Sequence, residues 1–148
     1  MKLSMLAKSY FLTGLVLFSF MGLSVPCVAQ SIIGKWNQLT ARQYLTDEAA
    51  KSMGKSYVET DMKTIGTVVY DFKTDKTFEM TSVSSLGGEK RESKGMWSLT
   101  GSELTMSGAT GGQSVKSMIS FQSNELIIET LHPESKKTRK VVLTFKKV

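Results

Sequence analysis

Residues 93–107 read SKGMWSLTGSELTMS, and the fold follows from how this stretch alternates. Gly95, Trp97 and Leu99 share one face of an extended chain, and Leu104 and Met106 share one face of the next. Between them Thr100, Gly101 and Ser102 form a short polar break of the kind that joins two antiparallel strands. The same glycine–any–tryptophan triplet occurs earlier as Gly34-Lys35-Trp36, and the two triplets contain both tryptophans of the chain.

Working outward, period-two alternation recurs to the C-terminus and predicts eight strands, at about 32–40, 65–73, 76–83, 90–99, 102–107, 113–121, 125–131 and 138–147. The runs are rich in Val, Ile, Thr and aromatic residues, and none contains a proline. Their connections alternate. Thr74-Asp75, residues 100–102 and Ser123-Asn124 are tight, whereas residues 41–64, 84–88, 108–112 and 132–137 are longer. Strict alternation of short and long connections fits an up-and-down antiparallel barrel with one closed end and one loop-rich end. A Greek-key sandwich would break the rhythm.

The apolar face of each strand, followed from the closed end to the open end, grades from bulky to small. Trp36, Phe72, Phe78, Trp97, Leu104, Phe121, Leu126 and Phe145 gather at the closed end. Thr40, Ser82, Arg91, Ser93, Ser117, Thr130 and Arg139 gather at the other. An eight-stranded barrel is just wide enough to be filled by side chains or to hold one small ligand. Trp36, Trp97, Phe72 and Phe121 are therefore predicted to plug the floor, each tryptophan's glycine letting a neighbour pack close. The interior positions above the floor are the candidate ligand site: Tyr70, Met80, Ile128, Ser93, Ser117 and Thr130, with Arg91 and Arg139 placed to meet an anionic head group.

The first 29 residues have a different character. Lys2 and Lys8 precede the apolar run Tyr10–Leu23, Pro26 interrupts it, and Cys27-Val28-Ala29 offers small residues for cleavage. Residues 1–29 read as a signal peptide and residues 30–148 as one domain, exported and either periplasmic or secreted. A lipid anchor on Cys27 is disfavoured because Pro26 occupies the place where a lipobox carries Gly or Ala. Loss of residues 1–29 removes two lysines and no acid, so the net charge falls from +6 to +4. That mild basicity suits anionic small molecules or lipids better than nucleic acid. The mature chain has no second apolar run of transmembrane length.

The series Gly34-Lys35-Trp36, VVYDFKTDKTFEM (68–80), GMWSLTGSELTMS (95–107) and VVLTFKKV (141–148) resembles the lipocalins, and more closely the small lipocalin-like domains of exported bacterial proteins in the calycin superfamily. The similarity covers essentially residues 31–148. It implies an up-and-down β-barrel and, in the wider superfamily, carriage of small hydrophobic molecules. Lipocalins also pair the first tryptophan with a basic residue near the chain end. Lys146 and Lys147 stand near that position, whereas Arg139 falls at the wrong end.

Residues 41–64 are the least barrel-like. Thr46 before DEAAKSM reads as an N-cap with an acidic first turn, and Ala49, Met53 and Tyr57 would share one helical face. The segment is predicted to lie over the open end, as a ligand lid or as a short helix packed on the rim. No catalytic set is evident: His132 is the only histidine and sits in a turn before Pro133, and no cysteine follows Cys27. Neither a cofactor nor a metal is predicted. KKTRK at 136–140 is the strongest charge run, as expected of a solvated hairpin tip. Two functions remain open. One is a non-enzymatic binding protein that holds a small hydrophobic or amphipathic ligand in the barrel. The other is a filled barrel that acts through its surface on another protein.

Overall fold

The computed structural model describes residues 31–108 and 113–148. The predicted signal peptide, Cys27 and most of the 108–112 loop lie outside the described residues. The elements are β1 (Gly34–Leu45), α1 (Asp47–Met53), β2 (Tyr57–Asp61), α2 (Met62–Ile65), β3 (Gly66–Phe72), β4 (Thr77–Ser84), β5 (Lys90–Thr100), β6 (Glu103–Gly108), β7 (Val115–Gln122), β8 (Glu125–Leu131) and β9 (Thr138–Lys147). From β3 to β9 each strand pairs antiparallel with the next, and β1 pairs with both β3 and β9. The result is a closed, eight-stranded, antiparallel up-and-down barrel. No helix among the described residues is long and apolar enough to cross a membrane.

β1 departs from the sequence expectation. It runs on to Leu45, and only Gly34–Asn37 pairs with β3, while Thr40–Tyr44 pairs with β2, a short strand beyond the eight expected. The register against β9 shifts between Gln38 and Thr40. Gln38 faces Phe145, which is fully buried, but past the shift Ala41 and Gln43 face Leu143 and Val141. One extra residue at Leu39 thus reverses the alternation. Thr40, expected to point inward, is paired with Thr144 on the outer face. Tyr57, expected on a helical face, begins β2, where its ring lies 5.6 Å from that of Tyr44 at a tilt of 39°.

The floor is an aromatic layer. Trp36, Phe72, Phe78, Trp97, Leu104, Leu126 and Phe145 are buried in one cluster, and Phe121 packs against it. Full burial of each such side chain contributes about 1.5–3 kcal/mol. The two indoles do more than fill space. The Trp97 ring meets Phe72 edge-on at 5.8 Å, and its Nε1 donates to the carbonyls of Lys73 (3.2 Å) and Thr77 (3.0 Å) on either side of the β3–β4 turn. Asp75 closes that turn by accepting from the Thr77 N–H and hydroxyl, and Lys76 lies 4.2 Å over the Trp97 ring. Trp36 Nε1 donates to the Ile32 carbonyl at 2.6 Å, drawing buried Ile32 under the barrel. Lys147, near the chain end, lies 5.4 Å over the Trp36 ring.

The two glycines of the repeated triplet differ in purpose. A Cβ on Gly95 would strike the Ser107 carbonyl oxygen and approach the Phe78 ring to 2.7 Å, so this glycine makes room for the floor. Gly34 has φ +122°, and a Cβ there would meet only the flexible end of Lys147 at 3.2 Å. Its requirement is backbone conformation rather than close packing. Gly95→Ala is expected to destabilise the barrel by about 1–3 kcal/mol, as overpacking does. Gly87→Ala, with nothing within 4 Å and no positive φ, should change stability little. Urea midpoints of the two variants check this; equal midpoints would remove the packing account of Gly95.

Candidate functional site

Above the floor the interior bulk declines. Tyr70 forms the last full aromatic layer, edge-on to Phe145 at 5.4 Å and stacked 5.9 Å from Phe72. Over it lies a cavity of about 400 Å3. Tyr70 on β3, Phe78 and Met80 on β4, Ser93 on β5, Met106 on β6, Thr130 on β8, and Val141 and Leu143 on β9 line it. Ser107, Gly108, Gln113, Val115 and His132 complete the wall. β6 and β7 pair only from Glu103↔Met118 to Met106↔Val115. Beyond Met106 and Val115 the two strands part, and Ser107, Gly108 and Gln113 line the cavity at that gap.

Four of the residues marked in the sequence therefore come together here: Tyr70, Met80, Ser93 and Thr130. Ser117 is buried beside them, its hydroxyl 2.7 Å from that of Thr130, so the two satisfy each other across β7 and β8. Ile128 is fully buried in the core below the cavity. The two arginines stand apart from it. Arg91 is exposed, reaches Glu89 at 3.2 Å and lines a different recess at the rim, with Met62, Ile65, Val68 and Ser82. Arg139 lies opposite His132, whose N–H donates to its carbonyl, but its exposed side chain is not among the cavity residues.

Met106 lies two residues from Leu104, and Leu143 and Val141 lie two and four residues from Phe145, so period-two alternation puts all three on the inner face. Gln113 opens the strand expected at 113–121, in phase with Val115, but β7 begins only at Val115; His132 carried no such signal, because it sits in the β8–β9 connection. The N-cap at Thr46 is present: its Oγ1 accepts from the Ala49 N–H at 3.5 Å, and Gly54 closes α1 with φ +65°.

The cavity is electrically plain. Among the described residues no Asp, Glu, Lys or Arg lines it, and no cluster of His, Cys, Asp and Glu is fit to hold a metal. The carboxylates with ion-pair partners lie on the outer faces, as with Glu79 between Lys73 (2.9 Å) and Lys94 (3.1 Å), which hold its pKa below the usual range. What the cavity offers is apolar surface, hydroxyl groups and an imidazole. Burial pushes the Tyr70 phenol above its ordinary value. The hydroxyl has no hydrogen-bond partner among the described residues, so its donor and acceptor are free to meet whatever enters.

No family model matches the chain, and no curated protein matches it. Among solved structures it is similar to fatty-acid-binding protein 1 of Echinococcus granulosus, at 13% identity over 79% of this chain and 97% of that one, with a TM-score of 0.40. It is also similar to the zebrafish ileal bile acid-binding protein complexed with cholic acid, at 19% identity over 78% of this chain and 98% of that one, with a TM-score of 0.39.

The Tyr70 shift gives a pH dependence. A phenol whose folded-state pKa is raised holds its proton while the unfolded chain begins to lose it near pH 10. The stability that it contributes is present below that pH and is lost as pH rises further. Thermal midpoints above pH 10 should therefore fall more steeply for the parent than for Tyr70→Phe, and absorbance at 295 nm should show one late-ionising phenol that the variant lacks. Identical pH profiles would mean that Tyr70 is not buried as described.

Proposed function

We propose that the mature chain is an exported, non-catalytic binding protein that holds one small hydrophobic or amphipathic molecule in the barrel. The observation that carries this reading is the cavity of about 400 Å3 above a sealed aromatic floor, walled by Tyr70, Met80, Met106, Val141 and Leu143. Pockets of this size, mainly apolar with a few placed polar groups, suit single small ligands. Tyr70, Ser93, Thr130 and His132 give a bound molecule neutral hydrogen-bonding partners, while Met80 and Met106 adapt to its shape. An anionic head group, if the ligand has one, stays at the rim, because an unpaired charge in the apolar interior is costly.

Export rests on residues 1–29, with a basic start, an apolar run and a small-residue cleavage site that would leave Gln30 first. Catalysis finds no support in the site. The lining holds no acid, no thiol and a single imidazole, so neither a paired general acid and base nor an activated nucleophile is assembled there. The alternative, a barrel acting only through its surface, leaves the cavity without a role.

Native mass spectrometry of the protein from its own exported fraction tests both parts. The expected result is a polypeptide beginning at Gln30 that carries an extra few hundred daltons, roughly the mass of a single-pocket ligand, lost on denaturation. Leu143→Trp should fold but fail to carry that mass. Ligand mass retained in Leu143→Trp, or no uptake by the parent even from saturating dodecanoate, would overturn the cavity reading. A chain that still begins at Met1 would overturn the export reading alone.

A further inference from the structure

A second recess, of about 680 Å3, lies at the rim beneath α1. Leu45, Ala49, Met53 and Val58 give it an apolar lining; Gln43, Thr138, Lys136 and Lys137 border it, and Glu48 adds a single carboxylate. We propose that this recess and the barrel cavity form one elongated site for a single-chain amphiphile with an anionic end. On this view the tail occupies the barrel, and the anionic group sits under α1 against Lys136 and Lys137. The proposal rests on the binding function argued above and adds the ligand's class and orientation.

Three observations carry it. First, the two spaces are neighbours along β1 and β9. Gln43 of the recess and Val141 of the cavity are direct cross-strand partners in the β1–β9 register, so only one pair of side chains separates them. Along β9, Thr138 of the recess and Leu143 of the cavity are five residues apart, about 17 Å at the rise of a β-strand. That is the reach of an extended alkyl chain rather than of a compact molecule.

Second, charge is distributed in one direction only. The barrel cavity has no charged lining residue, whereas the recess has two lysines and one glutamate. Neither lysine has an ion-pair partner among the described residues, so both ammonium groups are available to an anion. A carboxylate, sulfonate or phosphate at the tip of an alkyl chain is held here without leaving water completely, and its tail alone enters the dry interior.

Third, α1 is built as a roof. It turns the 48, 49, 52 and 53 face toward the recess, yet none of its residues is buried. Packing alone holds it weakly, and hydrogen bonds at its start tie it to the β8–β9 connection. The Thr46 N–H donates to the Lys137 carbonyl at 3.0 Å, and the Thr46 hydroxyl to the Lys136 carbonyl at 2.9 Å. The residue that caps α1 thus also fixes the backbone of both lysines, so the roof and the two cations keep one geometry.

The test is calorimetric titration of the mature chain with dodecanoate and with dodecan-1-ol, which share a tail and differ in charge. Lys136→Glu/Lys137→Glu should weaken dodecanoate about tenfold or more and leave dodecanol unchanged. Glu48→Gln should tighten dodecanoate a few-fold and leave dodecanol unchanged. Because the two substitutions act in opposite directions, loss of fold cannot imitate the pattern, and unchanged dodecanol binding reports an intact barrel. If both ligands bind the parent and the variants alter neither, the head-group site is wrong while the barrel function stands. If dodecanoate and dodecanol both fail to bind the parent, the barrel function and the two-compartment site fall together.

Discussion

The indole N–H of Trp97 is the bond around which this barrel is organised. It spans two backbone carbonyls across the β3–β4 turn, and its ring fills the floor against Phe72. A buried N–H without a partner costs about 1–3 kcal/mol, so the ring is held in one orientation as well as in one place. Trp36 repeats the device on the opposite side, tying the Ile32 carbonyl under the barrel beneath the Lys147 ammonium. Trp97 therefore seals the β3–β4 turn and Trp36 fastens the lead-in to β1, so the two uses of the motif close two different parts of the floor. With the bulk concentrated below, the upper interior is left to Met, Val, Ser and Thr side chains. The cavity is a consequence of where the aromatics went.

Much of this was legible in residues 93–107 and in the rhythm of turns. Alternation alone placed Val68, Tyr70 and Phe72, Phe78 and Met80, Trp97 and Leu104 on the face that the structure turns inward. It succeeded because in a barrel every strand has one dry side, so the pattern repeats around the ring. It failed at Leu39, where a single extra residue shifts the register and sends Thr40 outward. No local composition marks that bulge. It falls where β1 leaves β3 and begins to pair with β2. The β2 strand was missed for a related reason. Five residues beginning at Tyr57 are too short to outweigh a helical reading that began correctly at Thr46.

The candidate site was half legible. Tyr70, Met80, Ser93 and Thr130 share the cavity because their strands place them at one height. Height also explains the arginines. Arg91 and Arg139 are one step further up their strands, where the wall ends, and a long side chain at an open rim turns to water or to a neighbour such as Glu89. The cations that border an internal space, Lys136 and Lys137, lie in a connection. Only the hydrogen bonds of Thr46 to their carbonyls reveal what they face.

The methionines allow the central claim to be measured without mutation. Met80 and Met106 line the barrel cavity, while Met96 and Met118 are exposed on the outer wall. With the methionine methyl groups labelled with carbon-13, a titration with dodecanoate is followed by NMR. Ligand held inside the barrel predicts large shifts at Met80 and Met106 and none at Met96 and Met118. Shifts confined to Met96 and Met118, with Met80 and Met106 unmoved at saturation, would place binding on the outer surface and contradict the account.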